Sequence, residues 1–133
     1  MGAWGHDIFD DDTACDVLYG ALDQSIESFA AEAIQAAKKA NLDYWDCHTI
    51  LVAGALADAV INGTDYDAPA DDYASWLPRQ NKDALAPLKS ELVKAMTVVL
   101  SDKSELREAW SLHEDDLSEW KSNVEKVIAN LGG

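Results

Sequence analysis

Residues 49–61 read TILVAGALADAVI. Wound into a helix, this stretch puts apolar side chains on almost every side, and in a water-soluble chain such a helix is one surrounded by others. Its uninterrupted apolar part, Ile50 to Ala57, is too short to cross a bilayer, and Asp58 ends it. Upstream, Asp43 supplies an N-cap; downstream, Gly63 supplies a stop after Asn62. The pattern therefore predicts one long central helix over about 43–62. Gly54 in its middle costs about 1 kcal/mol relative to Ala, which predicts close approach by a neighbouring helix. His48 on this helix is expected in or near the core with a hydrogen-bond partner.

Working outward, Val17, Leu18, Ala21 and Leu22 mark a short first helix, N-capped by Asp11, Asp12 or Thr13. Ile26, Phe29, Ala30, Ala33, Ile34 and Ala37 give a second apolar face, closed by Lys38, Lys39 and Asn41. Residues 63–81, rich in Asp and carrying Pro69 and Pro78, read as the one long loop, with Tyr73, Trp76 and Leu77 forming a helical turn that pins it. Helical spacing resumes at Leu85, Leu88, Leu92, Ala95, Met96 and Val99, where Pro87 fits only within a first turn. Ser104 caps a short segment to about His113, and Leu117, Trp120, Val124, Val127, Ile128 and Leu131 form the last stripe. No strand-like alternation and no internal repeat is present. The expected fold is all-α: a single compact, irregular or orthogonal bundle of about six helices over residues 1–133. Trp4, Ile8 and Phe9 anchor an ordered N-terminal arm, residues 1–10, with Gly5 letting the backbone bend tightly around the indole.

The chain has 133 residues, of which 48% are hydrophobic and 26% charged, a composition suited to one self-sufficient core. Its net charge of −15 is the outlier. Residues 1–37 hold eight acids and no Lys or Arg, so the N-terminal third carries over half of the imbalance. Direct nucleic-acid binding needs Lys and Arg to neutralise phosphates and is not expected, nor is an anionic membrane surface. The Asp-rich start without Lys or Arg is not a secretory signal. His6 stands where a myristoylation motif needs Ser or Thr, and a cytoplasmic protein is expected. Cys15 and Cys47 lack metal or redox spacing and read as buried, reduced thiols.

MGAWG at 1–5, followed by Phe9, Asp10 and Asp12, resembles the start of the bacterial family known as domain of unknown function 4259. Asp11 stands where Asn is usual there, and His6, Asp7 and Ile8 depart from the expected turn. YASWL at 73–77 and SELREAW at 104–110 are also similar to the family. The resemblance implies a small all-helical domain and brings no activity and no catalytic residues.

No motif names an enzyme: G-x-S-x-G, a Walker loop and G-x-G-x-x-G are absent, and the many acids make any carboxylate pair unspecific. No catalytic residue and no cofactor is expected. For metal, His6, Asp7, Asp10, Asp11 and Asp12, or the acids of the loop, offer oxygens without a motif. An EF-hand begun at Asp65 would need Gly and Glu where Ala70 and Trp76 stand. Trp45, Trp76, Trp110 and Trp120 fall on or beside apolar stripes and are expected to pack in the core. What remains is an acidic surface of Asp7, Asp10, Asp11, Asp12, Asp65, Asp67, Asp71 and Asp72 that meets a basic protein partner. An immunity-type inhibitor covering the active site of a nuclease-like toxin fits that chemistry. The alternatives are a helical domain for a small ligand or divalent metal, and an enzyme without a recognisable motif; excess acid also serves solubility alone.

Overall fold

In the computed structural model, which describes residues 5–132, all the regular structure is helical. Five helices match the expected segments: α1 (Asp12–Ala21), α2 (Ile26–Ala36), α3 (Tyr44–Asn62), α7 (Glu105–Trp110) and α8 (Glu114–Asn130). The one expected from Leu85 to Val99 begins only at Lys89, as α6 (Lys89–Val99), because Pro87 ahead of it lies in a separate 3₁₀ turn. Between α3 and α6 lie two single-turn helices, α4 (Tyr73–Trp76) and α5 (Lys82–Leu85), each running into a short 3₁₀ turn.

The chemistry of the ends explains these boundaries. The Asp11 carboxylate accepts from the Thr13 and Ala14 amides and caps α1, while Ser25 caps α2. Asp43 and Asp46 form a capping box at the start of α3, and Gly63, with φ +71°, ends it in the left-handed conformation. Pro87 lies in the 3₁₀ turn just ahead of α6, where its missing N–H is not needed.

Every residue of α3 from Asp46 to Ala59 is buried, and α1, α2, α5, α6, α7 and α8 all pack against it. The neighbour at Gly54 is α6: a Cβ there would collide with Sδ and Cε of the fully buried Met96. The close approach is thus side chain onto backbone.

The connection 63–81 lacks regular structure only in its first half, residues 63–70. Trp76, buried, donates its indole N–H to the Gln24 carbonyl at 3.0 Å, and Gln80 accepts from the Ile26 amide at 2.9 Å. The expected helical turn therefore pins the loop to the start of α2. A second tie joins Leu42 to the approach of α7, through Leu42 N–H to Lys103 O (2.9 Å) and Glu105 N–H to Leu42 O (3.0 Å).

Of the arm, Ile8 and Phe9 are buried in the main core. The bend expected of Gly5 around the indole involves residues outside those described; at Gly5 itself the Asp10 carboxylate occupies the space a Cβ would need. Trp4 lies outside the described residues. Cys47 is buried and Cys15 half-buried, both as free thiols. Trp45, expected in the core, is 53% exposed. It follows the cap of α3 by two residues, before the helix enters the bundle, whereas Trp76, Trp110 and Trp120 are buried.

Candidate functional site

An open cleft of about 410 Å³ lies between the arm, the start of the loop and α8. Asp7 and Asp10 form one acidic side, Asp65 and Asp67 the other, over a floor that includes Ile8, Phe9, Tyr66 and Val127. Four acids chosen from two segments far apart in sequence thus converge.

Each side has a structural reason for its place. On the arm, burial of Ile8 and Phe9 fixes a turn closed by Asp10 N–H to Asp7 O at 3.0 Å. Across the cleft, the loop is tied to Asp58, a carboxylate with no exposed surface one turn before the end of α3. Asp58 Oδ1 accepts from Asn62 Nδ2 (2.7 Å) and Thr64 Oγ1 (3.0 Å), and Oδ2 from the Tyr66 hydroxyl and Asn130 Nδ2 (3.0 Å). Burial by itself pushes the Asp58 carboxyl up, but these four donors outweigh it and hold the group below its ordinary value. Burial and the bond to Asp58 push the Tyr66 phenol up, so it stays a neutral donor. Tyr66 then meets Phe9 edge-on, with ring centroids 6.1 Å apart, joining the two sides of the cleft.

The cleft acids are electrostatically unbalanced. Among the described residues the Lys or Arg ion pairs are Lys39–Asp46 and Lys94–Glu91, neither of them at the cleft. Lys126 lines it and makes no ion pair within 4 Å with a described residue. Asp7, Asp65 and Asp67 are exposed and Asp10 half-buried.

The other acids of the expected surface lie elsewhere. Asp12 is exposed in the first turn of α1, and Asp71 and Asp72 are exposed ahead of α4; none of the three lines the cleft. Asp11 is not at the surface: capping α1 turns its carboxylate inward, leaving the residue 6% exposed. It sits 3.4 Å from Nε2 of His48, which is buried as expected but has no hydrogen bond on either ring nitrogen. Burial lowers the His48 pKa while Asp11 opposes the shift, so the ring is neutral around neutral pH. The cavity beside His48 is about 10 Å³ and admits no ligand of organic size.

Two residues central to this geometry carry a weaker sequence signal. A lone Asp inside an apolar helix marks Asp58 as a buried, satisfied acid, but its partners come from three separate segments. His6 looks like a loop residue, yet it pairs with Asp116 at 3.0 Å across the fold. Among the described residues no group of three or more His, Cys, Asp or Glu is placed to hold a metal ion. Among them also, no helix is long and apolar enough to cross a membrane.

The sequence model of a family described as "Domain of unknown function (DUF4259)" matches residues 2–123. No curated protein and no solved structure matches the chain.

Proposed function

Because the chain belongs to the DUF4259 family, whose description carries no activity, we propose from the cleft that it is a small acidic protein-binding domain with a basic protein partner. The reading is of an immunity-type inhibitor, acting in the cytoplasm by covering the phosphate-binding active site of a nuclease-like toxin, and not of an enzyme. One observation supports it above the others: Asp7, Asp10, Asp65 and Asp67 converge on one open cleft without a Lys or Arg ion pair among the described residues.

A nuclease active site presents Lys and Arg where phosphates bind. Carboxylates on a cleft rim can stand in for those phosphates, speeding encounter and contributing affinity where charges pair closely. The apolar floor suits the aliphatic stem of a basic side chain, whose charged head reaches the rim. The same field disfavours nucleic acid itself and anionic membranes.

Co-expression with a candidate basic toxin domain, sought among the genes neighbouring this one, is the direct test. Protection of the host and co-purification are expected; a toxin that stays lethal and fails to co-purify removes the inhibitor reading, as does a gene neighbourhood with no such domain. Neutralising Asp7, Asp10, Asp65 and Asp67 to Asn should slow association by about tenfold or more at low salt. An unchanged rate would take the cleft out of the interface.

A further inference from the structure

His6 lies on the arm and faces α8. Its Nε2 is 3.0 Å from Oδ1 of Asp116, and its Nδ1 is 3.3 Å from Oε2 of Glu119. The ring lies 5.4 Å from that of Trp110, and the His6 carbonyl accepts from Nδ2 of Asn123 at 3.1 Å. Asp116 and Glu119 are three residues apart on α8, so both project from one helix face.

Ionised carboxylates only accept hydrogen bonds. A neutral imidazole carries one N–H and one lone pair, so it can serve one of these two carboxylates and must point the lone pair at the other. The imidazolium has a proton on each nitrogen: Nε2–H bonds to Asp116, and its positive charge attracts Glu119, which lies at ion-pair distance from Nδ1 without a hydrogen bond.

We propose that His6 is a proton-dependent clasp that holds the arm on α8 and thereby fixes the wall of the acidic cleft made by Asp7 and Asp10. The clasp itself is a property of the free chain; its consequence for partner binding rests on the reading above.

The charged groups facing the ring are Asp116 and Glu119 from α8 and Asp7 from the arm, while α7 contributes the uncharged Trp110. The hydrogen bond to Asp116 raises the ring's pKa from its ordinary 6.5; desolvation opposes this, and the charges of Glu119, Asp116 and Asp7 add to the rise. With the folded value above the unfolded one, the clasp contributes fully below pH 6.5 and is lost as pH rises through the folded value. Its hold weakens with salt, because the pair is partly exposed.

The test is an NMR titration of the full chain without any partner, following the His6 ring and the exchange protection of the Asp10 amide, which is bonded to the Asp7 carbonyl. His6 is expected to titrate above 6.5. Across that midpoint, protection corrected for intrinsic exchange should fall by up to about tenfold per unit of upward displacement. Asp116→Asn with Glu119→Gln should bring the midpoint back towards 6.5, and His6→Gln should abolish the pH step while leaving the bundle folded. A midpoint at or below 6.5, protection that ignores the His6 titration, or a midpoint unmoved in the double variant would each overturn the clasp. Since no partner takes part, failure here leaves the inhibitor reading standing, and failed co-expression leaves the clasp standing.

Discussion

Asp58 sits one turn before the end of an apolar helix with both carboxylate oxygens taken, by donors from its own helix, from the loop that follows and from the end of α8. A buried acid with its partners in place organises its surroundings, whereas the same partners without the acid are left as unpaired donors. Asp58→Ala is therefore expected to cost about 2 to 4 kcal/mol in urea unfolding; a loss near zero would mean that the network is solvated in solution. The Asp58 pKa is held below its ordinary 3.8, so its contribution is complete above that value and disappears as pH falls through the folded one. Acid unfolding of the native chain should be steeper than that of the variant. Asp11 and Trp45 show the limit of residue-level reading. An acid in a run of acids looks like surface, and a tryptophan beside an apolar stripe looks like core. Capping turned the first inward, and a position at the mouth of α3 left the second in water.

At the scale of elements, α3 is where local pattern and packing agree most closely. Its cap, its stop and its all-round apolarity are written in adjacent residues, because helix ends and helix faces depend on neighbours within a few positions. Gly54 is the one exception to helix propensity, and Met96 supplies the reason. Gly54→Ala gains about 1 kcal/mol of propensity and costs about 1 to 3 kcal/mol by overpacking against the buried Met96, whose side-chain end must shift to admit the methyl. We expect a net loss of about 1 kcal/mol in the native background. In a Met96→Ala background the methyl has room, and the same change should be stabilising by about 1 kcal/mol. Equal effects in both backgrounds, measured by chemical denaturation, would rule out the contact as the cause. The connection 63–81 was legible as a break in periodicity, and its anchoring through Trp76 as a helical turn. Its tie to Asp58 was not, since no local signal links Thr64 and Tyr66 to a side chain in the preceding helix.

Across the whole molecule, a net charge of −15 with few internal cation partners means that carboxylates repel one another in the folded state. Raising ionic strength from low to physiological should accordingly raise the Tm of the free chain, while slowing association with a cationic partner. A Tm that falls with salt would mean that internal ion pairs dominate instead. The sequence by itself determined most of the helices, the caps at Asp43 and Ser104, the central place of α3, the family and the sign of the charge, because each depends on composition or on residues a few positions apart. Only the tertiary structure decided which acids share a surface. The cleft needs residues 7–10, 64–67 and 123–130 brought together by a buried carboxylate and an arm packed on α8, and contacts between segments so distant are set by packing of the whole core, not by any local pattern.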